Sequence, residues 1–198
     1  MPQASDVLAT GFDNPVHQSQ QVFRHVLQAM SRPGLVVTLP DSRIAPNNGL
    51  SAAATQIALA LLDFETPVWL DSAASESREF LAFHCGCPIA DAAERAQYLL
   101  FGEAQAFDRT AQIHIGTDEH PEQAATVIID VTGIANDGGQ RLIGPGIDGV
   151  IELEVAGAPA GLWQRVADNA TLFPRGVDFI LTSGNRLAAL PRSTRLEA

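Results

Sequence analysis

The chain has no lysine. All twelve of its basic residues are arginine, set against 23 acidic residues in a chain of 198. A Schiff base to pyridoxal phosphate needs a lysine amine, so this chain cannot form one, and no cofactor is expected. The lysine of a phosphate-binding P-loop is missing for the same reason. Cysteine is almost absent: Cys85 and Cys87 stand together in a single C-G-C. A disulfide across one residue is strained, and structural zinc asks for a second ligand pair that the sequence lacks. No metal site is expected, and the two thiols read as small packing residues. No apolar run is long enough to cross a bilayer, and the first residues lack the basic and apolar stretches of a signal peptide. A cytoplasmic location with no membrane partner is therefore expected. The formal net charge of -11 disfavours nucleic acid, whose phosphates the protein's field would repel. A small anion can still be held, because a few well-placed arginines act locally. There is no G-x-S-x-G elbow to announce a serine hydrolase, and His114 and His120 fit no zincin spacing.

What is present describes a globular protein: 46% hydrophobic residues and a mean hydropathy near zero. The length suits one domain over 1–198, with 1–13 as an extended arm. Asn14-Pro15 is a helix start, and the following helix runs from about His17 to Ser31 with Val22, Phe23, Val26, Leu27 and Met30 on one face. Arg32-Pro33-Gly34 stops it ahead of a short strand at 35–39. A second helix, about Leu50 to Leu62, is apolar nearly all round and so must be buried under a sheet or against another copy of the chain. Strand Pro67–Leu70 and a third helix, about Ser75 to His84, follow. Residues 91–97 have helical character, Tyr98–Phe101 reads as a strand, and 103–109 as a short helix. The β-branched run Thr126–Val131 is the strongest strand signal. Ala135–Gly139 reads as a turn, and Gly144-Pro145-Gly146-Ile147 as a tight turn and not a phosphate loop, since a strand (150–155) follows it. A last helix over 161–169 leads into a hairpin whose strands include 177–181 and 187–190. Helices and strands alternate early and antiparallel signals gather late, which predicts an α/β fold with a mixed sheet flanked by helices.

That terminal segment, Phe173–Arg195, carries Arg175, Arg186, Arg192 and Arg195 on hydrophobic strands. Guanidinium forks match phosphate or carboxylate oxygens two at a time, so the cluster suits an oxyanion. The plainer alternative is that these arginines solvate an acidic surface. Asp63, at the end of the apolar helix, and Asp178, inside a predicted strand, each need a cationic partner if buried. Arg175 or Arg192 is the expected partner of Asp178, in a structural or a catalytic pair.

Several blocks together resemble the PhnH subunit of the carbon–phosphorus lyase core complex. They are Phe23-Arg24 through Ala29-Met30-Ser31-Arg32-Pro33-Gly34, Leu61-Leu62-Asp63 with Thr66-Pro67-Val68-Trp69-Leu70, and Leu142 with Gly144-Pro145-Gly146-Ile147. Phe173-Pro174, Gly176-Val177-Asp178, Leu181, and the closing Leu190-Pro191-Arg192-Ser193-Thr194 complete the set. They recur in order from about residue 12 to the end. The resemblance implies a fold similar to the large domain of pyridoxal-phosphate-dependent transferases, without the cofactor. It also implies a homodimer joined to sister subunits in a cytoplasmic assembly that degrades phosphonates. In that assembly a phosphonate displaces adenine from C1′ of ATP, with ATP and phosphonate as substrates. Carried over residue by residue, Arg24, Arg32, Arg175 and Arg192 would bind substrate oxygens. Asp63 and Asp178 would serve as catalytic carboxylates. A subunit that only assembles the complex is the alternative.

Overall fold

A computed structural model describes residues 10–44, 49–110 and 112–197. The first nine residues of the expected arm lie outside the described residues, and 10–13 carry no helix or strand. Helix α1 spans Pro15–Ser31, its N-cap Asn14 accepting a hydrogen bond from the His17 N–H. Pro15 fits the first turn because its missing donor would have been unpaired there. The strand expected at 35–39 shrinks to β1, Val37–Thr38. Helix α2, Ala52–Leu61, is capped by Ser51, and Ala53, Ala54, Ile57 and Ala58 are fully buried. Then come β2 (Val68–Leu70), a 3-10 turn at Ala74–Ser77, α3 (Arg78–Cys85), β3 (Tyr98–Phe101) and α4 (Ala106–Arg109). The chain continues through β4 (Thr126–Asp130), β5 (Gly133–Ile143), β6 (Ile151–Ala156) and α5 (Leu162–Leu172). It closes with β7 (Asp178–Ser183), β8 (Arg186–Leu190) and β9 (Arg195–Leu196).

Six strands form one mixed sheet in the order β1-β8-β7-β4-β3-β2. Strands β2, β3, β4 and β7 are mutually parallel, and β8 returns antiparallel to β7. The pleat divides these strands between two cores. Leu100, Ile128, Ile180 and Ala189 face α1, α2 and α3. Leu99, Val127, Phe179 and Ala188 face the other way, towards α5 and a three-stranded sheet β6-β5-β9. The α/β class and the helix-flanked mixed sheet thus match the pattern in the sequence. A central strand with both faces buried needs the unbroken β-branched run that β4 supplies.

Two expectations need correction. Residues 135–139 are not a turn between strands. They lie inside the single strand β5, which pairs with β6 from Gly133 to Leu142 and shifts register between Ala135 and Gln140. The irregularity is a bulge: a side chain at Gly139 (φ +90°) would come within 2.4 Å of the Leu153 carbonyl, so the strand passes only as glycine. The expected apolar face of α1 is also split. Val22, Val26 and Ala29 form its buried seam, while Phe23 and Leu27 remain 51% and 56% exposed. Residues 22 and 23 differ by one step around the helix, so a wide apolar stripe can turn only part of itself to the core.

Candidate functional site

Loop 144–148, between β5 and β6, is the place where segments distant in sequence meet. The Ile147 N–H bonds to the Gly144 carbonyl at 3.1 Å, closing the tight turn expected there. Gly146 (φ +84°) passes so close to the end of α1 that a Cβ would lie 2.2 Å from the Ser31 carbonyl oxygen. A Cβ on Gly144 would lie 3.0 Å from the Ser193 carbonyl oxygen. The loop is therefore wedged between Ser31-Arg32-Pro33 and Ser193-Thr194, and a side chain at either glycine would force them apart.

A cavity opens on each side of the wedge. One, of about 440 Å³, is lined by Arg32, Pro33, Leu35, residues Gly146–Asp148, Val150 and Ile151. The other, of about 210 Å³, lies between Pro145, Ala170, Phe173, Arg192, Ser193 and Arg195. The smaller sets Arg192 and Arg195 beside Pro145, Ala170 and Phe173, and the larger sets Arg32 among Pro33, Leu35, Ile147, Val150 and Ile151, with Asp148 in the same wall.

The arginines differ in what they already hold. Asp178, the first residue of β7, takes Arg192 as its partner and not Arg175. Its carboxylate accepts the Arg192 backbone N–H at 2.8 Å, Nε at 3.2 Å from each oxygen, and Nη2 at 2.5 Å. Arg192 Nη1 donates to the Pro121 carbonyl at 2.5 Å. Both side chains are only 16% exposed. Arg192 therefore has little left for a ligand and instead fixes the segment that follows it. Arg175 Nε lies 2.9 Å from an Asp118 carboxylate oxygen, a charge contact without hydrogen-bond geometry. Among the described residues neither Arg32 nor Arg195 has an ion-pair partner. Arg24 lies exposed on α1 and lines neither cavity. Asp63 is exposed, accepting the Glu65 N–H at 2.9 Å and the Thr66 hydroxyl at 2.5 Å. The Thr66 hydroxyl, and after it the Glu65 N–H, hold its carboxyl below the ordinary aspartate value. It closes the turn after α2, and among the described residues no cation pairs with it. Of the six candidates, Arg32 and Arg192 flank the loop, Asp178 stands behind Arg192, Arg175 lies against Asp118, and Arg24 and Asp63 are elsewhere.

Asp130, at the carboxyl end of β4, is a group that the sequence reading passed over. It accepts the Ser51 N–H at 2.6 Å, at the start of α2, and the Thr182 hydroxyl. Burial pushes its carboxyl up, against the pull of those two donors, and the charge of nearby Asp71 adds to the rise. Asp71 accepts the N–H groups of Ala74, Gly102 and Glu103 at 2.8, 3.1 and 3.0 Å. Carboxyl ends of parallel strands are where α/β sheets bind ligands, and an aspartate closing the strongest strand was the available signal. A cavity of about 270 Å³ lies there, lined by Glu103, Gln105, Asp130 and Thr132 among others. Its lining includes no arginine. The thiols of Cys85 and Cys87 are free, and the hydrogen bond between them, ahead of burial, raises the Cys85 thiol.

A model of the family described as bacterial phosphonate metabolism protein (PhnH) matches residues 10–197. The chain belongs to the PhnH family. The alpha-D-ribose 1-methylphosphonate 5-triphosphate synthase subunit PhnH of Rhizobium meliloti (strain 1021) is 35% identical over 201 residues, covering 100% of this chain and 99% of that protein. A putative C-P lyase subunit protein, HtxG, of Stutzerimonas stutzeri is 31% identical over 181 residues, covering 90% and 86%. Of the blocks that carry this PhnH likeness, three build the wedge: Ser31–Gly34, Gly144–Ile147 and Pro191–Thr194. A fourth, Phe173–Asp178, packs against it, since a Cβ on Gly176 would lie 3.2 Å from the Arg192 Cβ.

Proposed function

We propose that this chain is a subunit of a carbon–phosphorus lyase assembly and binds oxyanions in its ribosyl transfer step. In that step a phosphonate displaces adenine from C1′ of ATP, leaving a ribose 1-phosphonate 5-triphosphate. The observation that carries the reading is the wedge, where arginines without ion-pair partners, Arg32 and Arg195, stand in cavities on either side of one loop. Guanidinium groups in apolar walls hold phosphoryl and phosphonyl oxygens more strongly than in water. In this scheme Arg32 binds the anion directly. Asp178 and Arg192 position the 193–195 segment. Arg175 steadies the adjoining loop through Asp118, and Arg24 and Asp63 serve at surfaces completed by other subunits. The absence of lysine, with a largely parallel sheet, supports a scaffold like the large domain of pyridoxal-phosphate-dependent transferases used without that cofactor. A cytoplasmic homodimer joined to sister subunits completes the proposal.

The test is adenine release by the complex reconstituted with Arg32→Ala. Arg32 is exposed and unpaired, so folding and assembly are expected to be intact. The loss of a charge-assisted contact lowers the rate by about tenfold or more. Unchanged adenine release from a fully assembled complex would leave only the second reading, a subunit that serves assembly. The observation favouring that reading is the exposure of Phe23, Leu27, Phe64 and Phe83 on the helical side. Apolar side chains of that size on a surface suit contact with another chain.

A further inference from the structure

We infer that the smaller cavity of the wedge takes a nucleoside phosphate, with the planar base against the Phe173 ring and the anionic group on Arg195. The inference rests on the proposed function for its choice of ligand and adds a site to it. Three observations carry it. Phe173 follows the last residue of α5 and is 63% exposed, so its ring is offered to the cavity and not used by the core. The cavity, about 210 Å³, has room for one ring system but not for an extended chain. Its cations are unequal: Arg192 is saturated by Asp178 and the Pro121 carbonyl, which leaves Arg195 as the guanidinium available to an incoming charge.

The geometry selects against the simpler ligands. A bare phosphonate or polyphosphate gains nothing from Phe173, Pro145 and Ala170, which are three of the six lining residues. A neutral aromatic molecule leaves Arg195 without a counter-charge in a partly apolar site. A flat heterocycle joined to an anion uses both, because bases stack on aromatic side chains and on guanidinium planes alike. Arg192 lines the same cavity with its guanidinium held by Asp178 and the Pro121 carbonyl. Its pairing with Asp178 also fixes the path of Ser193 and Arg195 against loop 144–148, so the slot is formed before the ligand arrives.

Equilibrium dialysis of the purified full-length chain tests this directly, with AMP, ribose 5-phosphate and adenosine as probes. AMP is expected to bind at least about tenfold more tightly than ribose 5-phosphate, the margin that stacking of one base provides. Phe173→Ala is expected to remove that margin while leaving ribose 5-phosphate unchanged. Arg195→Ala weakens AMP and ribose 5-phosphate together and leaves adenosine as it was. Phe173 and Arg195 are both exposed, so neither change should unfold the chain. AMP binding no tighter than ribose 5-phosphate, or undiminished in Phe173→Ala, overturns the inference, as does a failure of AMP to bind at all. The outcome is separable from the proposed function, since dialysis reads binding by this chain and adenine release reads the assembled complex.

Discussion

Removing either side chain of the Asp178–Arg192 pair should be among the most damaging changes near the wedge, and the structure gives its size. The carboxylate accepts three N–H groups of Arg192, one of them from the backbone, and both side chains are 16% exposed. Arg192→Ala leaves Asp178 charged, partly desolvated and holding a single backbone donor. Breaking a fully buried pair costs about 3–5 kcal/mol, so with some solvent present the expectation here is about 3 kcal/mol. For a chain of this length that lowers the midpoint of thermal unfolding by roughly 6–12 °C. The companion variant Asp178→Leu with Arg192→Met removes both charges and should lose less than the two single changes added together, by about 2 kcal/mol. Circular dichroism during thermal and urea unfolding reads the wild type, Arg192→Ala, the single changes Asp178→Leu and Arg192→Met, and the double variant. Protein concentration must be fixed, because association shifts the midpoint. A single variant within about 0.5 kcal/mol of the wild type would refute the reasoning, since surface changes fall in that range. Additivity in the double variant would refute it equally.

Two further outcomes follow from the same geometry. Burial raises the Asp130 carboxyl above its ordinary value of 3.8, so its ionisation costs more in the folded chain than in the unfolded one. The stability it allows is complete below that value and is lost as pH rises through the raised pKa. Asp130→Asn, whose amide oxygen still accepts the Ser51 N–H while its NH2 faces a Thr182 hydroxyl that can turn to the Ile129 carbonyl, should therefore improve relative to wild type between about pH 4, near the ordinary carboxylate value, and about pH 7. Urea unfolding at the two pH values checks this, and a constant difference would contradict it. Gly146→Ala places a methyl group 2.2 Å from the Ser31 carbonyl oxygen at φ +84°. It should cost about 1–3 kcal/mol and loosen both cavities, so thermal stability and adenine release fall together. Unaltered melting would mean that the loop is not wedged as described.

Much of the fold was legible because its signals are local. The β-branched run of β4, the Asn14-Pro15 start of α1 and the glycines of loop 144–148 act within a few residues of where they stand. The bulge in β5 was not legible. Asn136-Asp137-Gly138-Gly139 has the composition of a hairpin turn, and only the pairing of Gly133–Ala135 and Gln140–Leu142 with one continuous β6 makes it a strand irregularity. The split of the α1 stripe was hidden for a similar reason. Phe23 and Leu27 fit the helical period as well as Val22 and Val26 do, and the period does not say how wide a face the neighbouring α2 can cover. The pairing of Asp178 with an arginine was legible from its place inside a strand, whereas the apolar setting expected of Asp63 was not met. An aspartate at the end of an apolar helix reads as buried, yet here it points into a polar turn and caps it.

The arginines show why residue type alone could not finish the argument. A sequence with twelve arginines and no lysine gives every cation the same chemistry, so function has to come from what each guanidinium is already bound to. Arg192 is the most buried of the motif arginines and, by its bonds, the least able to accept a ligand. A desolvated guanidinium is tolerable only when its donors are satisfied, and the same satisfaction removes it from binding. Arg32 and Arg195 are exposed and unpaired among the described residues, and for that reason they can exchange water for an anion at small cost. Binding capacity at the wedge therefore runs opposite to burial. The motif arginine most firmly embedded beside an aspartate, one of the two that the sequence offered as its partner, holds the segment that carries Arg195.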